Sequence, residues 1–287
     1  MASYLKAYAE KFNLPVQLRT KVISVRFFNS KYEIFAGDDV ITCDNLVVAT
    51  GGHQVVKKPG FSNSFASTIF NIHSSEYKRA DAIPPGKVLV VGAGASGVQI
   101  AIDLSKIHEV FLAGKPTFHI PDFVFRFLGG FYWWFISNVL TINTPMGRNA
   151  RKSVLAGGGP LINVLMKEVE SAGIKCMPRL TGAENGHPKF ENGKIIPVST
   201  IVWATGFKAD FSWIDIPKIT DESGFPNTYR GISKSCDQLY FVGMIFQFAL
   251  TSAIIGGVGR DAEFIANHIG RNNSLKKTLL NDDSASG

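Results

Sequence analysis

Six consecutive residues have types and spacing that could do chemistry: Gly92, Ala93, Gly94, Ala95, Ser96 and Gly97, a G-x-G-x-x-G turn. Glycine is common, so the spacing alone carries little weight and its setting decides its meaning. Here it follows residues 87–91, whose β-branched run reads as a buried strand. It opens residues 96–106, where Val98, Ala101 and Ile102 recur at helical spacing. Strand, glycine turn and helix in that order make a dinucleotide-binding βαβ unit. Gly92 permits the tight turn, Gly94 lets the backbone approach a pyrophosphate, and Gly97 lets the helix pack close to the strand. The start of the helix, with Ser96 in its first turn, offers unpaired N–H groups and partial positive charge to the phosphates.

The end of the next strand, residues 109–113, separates the two nicotinamide cofactors. An acid there would bind a ribose 2′-hydroxyl. The sequence has Ala113, Gly114 and Lys115 instead, and a lysine suits the 2′-phosphate of NADPH. A merely solvated lysine is the alternative.

Other chemistries lack their residues. Gly94 to Gly97 falls one residue short of a G-x-S-x-G nucleophile elbow, and there is no GxxxxGK[ST] phosphate loop. His73 and Glu76 have no second histidine, too little for a metal site, so no metal is expected. Cys43, Cys176 and Cys236 are odd in number and far apart. They give neither a disulfide framework nor a zinc spacing nor a CxxC pair, which fits a reducing cytosol and argues against a disulfide reductase.

Around these residues the chain reads as alternating strands and helices. Residues 1–12 form an amphipathic helix without the apolar core of a signal peptide. Residues 20–28 and 31–35 flank Asn29 and Ser30 as a hairpin, residues 39–43 add a third strand, and residues 45–51 are a buried strand ending at glycine. Pro84, Pro85 and Gly86 punctuate the chain before the dinucleotide unit. Helix is expected near residues 161–172 and strand at 174–177. Residues 193–198 and 199–206 read as a second hairpin, ending in a second Ala-Thr-Gly. A strand over 238–243 and a helix over 256–268 follow, with a polar, frayed tail after Gly270.

With 287 residues, 45% of them hydrophobic and 28 of them glycine, the chain fits an α/β protein of one large or two ordinary domains. The net charge of +7 is scattered. Arg148, Arg151 and Lys152 are the nearest thing to a cluster and read as a solvated face, against nucleic-acid binding. Residues 123–139, centred on Phe131, Tyr132, Trp133, Trp134 and Phe135, are shorter than the roughly 20 apolar residues of a spanning helix. They also contain Arg126, Gly129 and Gly130. They read as a buried helix or the wall of a substrate channel, with shallow membrane contact as a second reading.

Five stretches, in order and spacing together, resemble the flavin-containing monooxygenase family, which includes N-oxygenating enzymes, plant auxin-forming enzymes and bacterial relatives. They are residues 46–52, 72–78, 88–97, 202–207 and 239–243, and the similarity runs over residues 1–270. The resemblance implies a Rossmann-like flavoprotein fold of two dinucleotide-binding domains. An NADPH-binding domain (82–205) would be inserted in an FAD domain made of residues 1–81 and 206–287. The implied cofactors are NADPH and FAD, and the implied reaction inserts one oxygen atom of O2 into a small organic substrate.

Residue by residue, the resemblance makes His73 and Tyr77 parts of the family's linker motif and candidates for catalysis, with a packing or hinge histidine as the alternative for His73. Tyr77 and Lys78 stand where Baeyer–Villiger enzymes have Trp followed by Pro or Asp, which points to heteroatom-oxygenating or auxin-type relatives. Thr50, Gly51, Thr205 and Gly206 would mark the crossings between domains, and Gly243 would lie near the flavin. Two departures stand out. Ser67 and Ile69 replace the motif's usual Phe and Gly, and the family's first GxGxxG, which binds the ADP part of FAD, is not in this sequence. The FAD domain is therefore expected to be incomplete. The alternative to an oxygenase is a catalytically inactive, shortened NADPH-binding remnant.

Overall fold

The computed structural model describes residues 2–115, 122–157 and 166–285. Contacts divide the chain into two compact units. One comprises Met1–Val48, Phe211–Phe241 and His268–Gly287, the other Ala49–Asp210 and Val242–Asn267.

The first unit begins with α1 (Ala2–Lys11), which buries none of its residues. The expected hairpin follows as β1 (Val22–Phe28) and β2 (Lys31–Ala36). Its turn residues Asn29 and Ser30 both take positive φ, 47° and 62°, the handedness that matches strand twist in a two-residue loop. Along β2 the buried residues are Tyr32, Ile34 and Ala36, the alternation of a half-buried strand. β3 (Asp39–Cys43) pairs antiparallel with β2, and β4 (Leu46–Val48) leaves for a different sheet.

The second unit carries β5 (Val55–Val56), β6 (Phe70–His73), β7 (Lys87–Val91), α2 (Ala95–Leu104), β8 (Glu109–Ala113), α3 (Asp122–Asn138), α4 (Pro145–Gly157), α5 (Met166–Ser171), β9 (Lys175–Met177), β10 (Leu180–Glu184), β11 (His187–Phe190), β12 (Thr200–Trp203) and β13 (Phe207–Lys208). Its centre is a five-stranded sheet of order β6-β12-β7-β8-β9, parallel throughout. Alternate residues face opposite sides. Val88, Val90, Val110, Leu112 and Val202 pack with Val98, Ala101 and Leu104 of α2. Leu89, Phe111, Ile201 and Trp203 pack with Phe65, Leu180 and Phe190. Burial on both faces explains why β7, β8 and β12 read as unbroken apolar runs.

That same burial overturns the hairpin expected over residues 193–206. β12 enters the sheet between β6 and β7, parallel to both, because four consecutively buried residues need a ladder partner on each edge and cover on each face. Residues 193–198 form no strand and contribute only an isolated bridge, Ile195 to Lys189. The hairpin of this region is β10–β11, turning on Asn185 and Gly186 at φ 52° and 77°. That Asn-Gly pair is a hairpin signal the sequence reading passed over. Of the helix expected at 161–172, residues 166–171 are helical as α5 and residues 158–165 lie outside the described residues.

The first unit resumes with β14 (Ile214–Asp215), parallel to β1, then β15 (Thr228–Tyr229), β16 (Ile232–Ser233) and β17 (Leu239–Phe241). A four-stranded sheet of order β15-β16-β17-β4 results, with β17 and β4 parallel. The last helix, α6 (Ile255–Ala285), runs past Gly270, where polar composition suggests fraying. No proline or glycine interrupts residues 271–286 to stop it.

The sheet core contains a polar contact at its most buried tryptophan. Trp203 is buried outright, and its indole N–H donates to Asn71 Oδ1 at 2.9 Å. Asn71→Ala strands that donor, at a cost of about 1–3 kcal/mol. The urea midpoint should fall with an unchanged m-value; an unchanged midpoint would mean the indole finds another acceptor.

Candidate active site

The site residues gather where the parallel strands end. After β7 the chain turns on Gly92 at φ +110°, and its N–H donates to the Ala113 carbonyl at 2.8 Å. A Cβ on Gly92 would stand 2.3 Å from the Ala204 carbonyl oxygen, and one on Gly97 would stand 1.8 Å from the Gly92 oxygen. Gly94 is different: no atom lies within 4 Å of where its Cβ would be. The turn is therefore closed against the protein at its first and third glycines and open at its second.

Gly94 is also the N-cap of α2 and has no side chain to cap it. The first helical bond runs from Val98 N to the Gly94 carbonyl at 3.0 Å. The amides of Ala95, Ser96 and Gly97 precede that bond and lie beside the open space, as an anion-binding helix start requires. Ser96 is exposed in the first turn. Lys115 is exposed just beyond Gly114, whose N–H extends the ladder to the Met177 carbonyl at 3.2 Å. These residues make an open, amide-lined cradle with a cation at its rim.

The two Thr-Gly pairs come together on a short ribbon that the sequence did not reveal. β5 and β13 pair antiparallel, Val56 with Phe207 and Val55 with Lys208. Thr50 Oγ1 accepts from Gln54 Nε2 at 2.7 Å, and Gln54 Oε1 accepts from the Asp210 N–H at 2.6 Å. The Thr205 hydroxyl donates to the Lys57 carbonyl, and the Lys57 N–H donates to the Gly206 carbonyl at 2.9 Å. The Gly243 carbonyl lies 3.9 Å from where a Cβ on Gly51 would be, so those two backbones are neighbours.

His73 sits beneath this ribbon, fully buried. Its Nε2 lies 3.1 Å from the Gly206 carbonyl, and its Nδ1 accepts from the Ser75 N–H at 3.2 Å. The arrangement is that of a neutral ring protonated on Nε2. The ring meets Phe207 edge-on at 4.9 Å, and the His73 N–H donates to Glu76 Oε2 at 2.7 Å. Burial is the main force lowering the His73 pKa, with Lys58 adding to it; the Gly206 carbonyl and Glu76 oppose it. With both ring nitrogens engaged, this histidine is built to hold the second crossing in place.

Tyr77 is likewise committed, its hydroxyl donating to Asp103 Oδ2 at 2.7 Å. Burial and that carboxylate push the phenol well above its usual range. Asp103 is held low, first by Lys106 and then by Tyr77. The pair fastens the segment after β6 to the far end of α2. Ser75 and Glu76 close a turn on His73 that in the sequence was weighed only as a metal-site spacing, whereas Gln54, Lys57 and Asp103 act across distances no local pattern reports.

The tryptophan-rich segment departs from expectation. Trp133 and Trp134 are exposed, so they form no buried aromatic core within the unit that carries them.

Two tests follow from this geometry. Gly97→Ala should destabilise the fold by about 1–3 kcal/mol or more through its backbone clash, while Gly94→Ala leaves the melting temperature nearly unchanged; equal effects in thermal melts would contradict the contrast. The second test is pH. Because His73 titrates below its ordinary 6.5, the unfolded chain binds more protons between the two values. The stabilisation is complete above 6.5 and is lost as the pH falls through the lowered value. His73→Gln should flatten that slope in denaturant titrations; a slope that persists in full must come from another group.

The comparisons with known proteins bear on this arrangement. Residues 1–116 match the pyridine nucleotide-disulphide oxidoreductase family profile. An uncharacterized CzcO-like oxidoreductase of Geobacillus kaustophilus is 34% identical over 270 residues, covering 94% of this chain and 77% of the relative. The probable indole-3-pyruvate monooxygenase YUCCA9 of Arabidopsis thaliana is 25% identical over 308 residues, covering 93% of this chain and 70% of the relative. Among solved structures, the flavin-containing monooxygenase from Stenotrophomonas maltophilia has the same fold, with a TM-score of 0.70 at 18% identity over 94% of this chain and 76% of that one. With one-third identity across nearly its whole length to a CzcO-like oxidoreductase, the chain belongs to that oxidoreductase family, and it shares the fold of the flavin-containing monooxygenase from Stenotrophomonas maltophilia.

Proposed function

We propose that this chain serves as an NADPH-dependent flavin monooxygenase that inserts one oxygen atom of O2 into a small organic substrate in the cytoplasm. The observation that carries the reading is the contrast within the G-x-G-x-x-G turn. The protein itself fills the space at Gly92 and Gly97 but leaves it empty at Gly94, in front of a helix start with no side-chain cap. A diphosphate matches that vacant, amide-lined position in shape and in charge.

Residues 82–205 would be the NADPH-binding domain, with residues 1–81 and 206–287 on the flavin side. The amides of Ala95, Ser96 and Gly97 would hold the pyrophosphate, and Lys115 the 2′-phosphate. Gly51 and Gly243, adjacent backbones after β4 and β17, offer close approach to the flavin. When bound, the flavin supplies the oxygen chemistry. The chain's own part is to orient and to exclude water. His73, neutral and bonded to the Gly206 carbonyl, fixes the crossing at Thr205 and Gly206, while Tyr77 ties that linker to α2. These are positioning residues.

The deciding experiment is an absorption spectrum of the purified chain with added FAD, followed by NADPH-driven oxygen uptake. Retained flavin with NADPH oxidation is the expected result; a chain that refuses FAD and consumes no oxygen is instead the inactive NADPH-binding remnant. Gly94→Val should remove NADPH binding from a protein that melts like wild type, and unchanged binding would refute the cradle. Lys115→Glu should weaken NADPH about tenfold or more, the worth of a charged hydrogen bond, and NADH much less. Equal losses for both cofactors would remove the 2′-phosphate role.

A further inference from the structure

The short ribbon of β5 and β13 carries Lys57, Lys58 and Lys208, all exposed, and the glycine cradle uses none of them. The ladder fixes the faces of two. Val55 pairs with Lys208 and Val56 with Phe207, and the Lys57 N–H extends the pairing one step to the Gly206 carbonyl at 2.9 Å. Alternation along the strand then puts Lys57 on the face of Val55, and so on the face of Lys208. The two lysines are diagonal neighbours across the ribbon, roughly 7 Å apart at that spacing. Phe207, on the opposite face, meets His73. Lys58, the next residue, adds its charge to the burial that lowers the His73 pKa.

Opposite Lys57 stands Gly206, at φ +78° and with no atom within 4 Å of where its Cβ would be. The position between the two cations is therefore open space over bare backbone. No acid neutralises the pair. Residues 45–75 and 192–209, which supply both strands and their flanks, contain no aspartate or glutamate. Among the described residues neither Lys57 nor Lys208 forms an ion pair, with Asp210 or with any other carboxylate. Like charges set this close across a ribbon destabilise it, and a bound oxyanion offsets that cost.

Sheet order separates this seat from the phosphates of a nicotinamide cofactor. β7, which leads into the glycine turn, lies between β12 and β8. Lys115 follows β8 on one side of the turn, whereas Gly206 and Lys208 follow β12 on the other. A dinucleotide lying across the carboxyl ends of the strands, with its 2′-phosphate at Lys115, directs its nicotinamide end towards β12. The lysine pair stands on that side, where hydride leaves the cofactor and a substrate has to enter.

We propose that Lys57 and Lys208 select a substrate that carries a carboxylate, seating that group over Gly206. The assignment of the anion to a substrate rests on the NADPH-dependent reading; the anion seat itself does not.

Calorimetric titration of the full chain with 3-phenylpropanoate, hexanoate and their methyl esters tests it, since each pair shares one apolar body and differs in charge. The acids should bind about tenfold or more tightly than the esters, the worth of a charged contact, and added salt should erode the preference. Lys57→Gln, Lys208→Gln should bring acid and ester close to parity while leaving NADPH affinity and the thermal melt unchanged; Lys57→Arg, Lys208→Arg should keep the preference. Acids and esters that bind alike, or that both fail to bind, overturn the proposal, as does a preference that survives the double glutamine variant. If that variant loses NADPH along with the acids, the seat serves a cofactor phosphate and the substrate role falls. A chain that refuses FAD yet prefers the acids counts against the oxygenase reading and for the seat.

Discussion

How closely α2 can approach the ends of β7 and β12 governs the rest of the site. A helix that begins directly after a strand must bring its first turn down onto the sheet's own backbone. At Gly97 and Gly92 that approach is so close that a single Cβ would fall within 1.8 and 2.3 Å of carbonyl oxygens. Only hydrogen fits there, so the turn has one height above the sheet. That height leaves the amides of residues 95–97 facing open space at Gly94. Ala204, the other wall of the contact, follows Trp203, whose burial and bond to Asn71 fix the strand in the core. Packing in the middle of the sheet is thereby transmitted to the edge where a ligand would sit.

The crossing ribbon depends on a second constraint, the neutrality of one buried ring. As a neutral donor at Nε2 and acceptor at Nδ1, His73 satisfies both the Gly206 carbonyl and the Ser75 amide. A proton on Nδ1 would turn that acceptor into a donor facing an N–H and place a charge where burial disfavours it. Tyr77 and Asp103 close the other end of the same segment. The linker between β6 and α2 is held at both ends by side chains whose hydrogen-bonding capacity is already taken. Their contribution is geometric.

Tryptophans in the same unit meet opposite fates. Trp203 lies inside the parallel sheet with its indole N–H satisfied, whereas Trp134 stands half in solvent on α3. Residue type did not decide between them. Trp203 lies on a strand flanked by two others, where alternate side chains must enter one of two covered faces. Trp134 lies on a helix that has already spent its inner face on Ile136 and its end on contacts from Arg260.

Local order was legible in the chain because its causes are local. The run of residues 87–91, the glycine turn and the helical spacing after it each follow from how neighbouring residues satisfy backbone and bury side chains. The same is true of the hairpin at Asn29 and Ser30. The order of β6-β12-β7-β8-β9, and with it the failure of the expected hairpin before β12, was decided only in three dimensions. An apolar run that needs two partners does not say which strands they are. The closure at Gly92 likewise depends on Ala204, more than 100 residues further on, whereas Gly97 is closed first by the Gly92 oxygen of its own turn. Sequence determined that a strand, a glycine turn and a helix follow one another here. Tertiary packing decided how Gly92 is closed against the rest of the fold while Gly94 faces open space, because that depends on what distant residues bring against the turn.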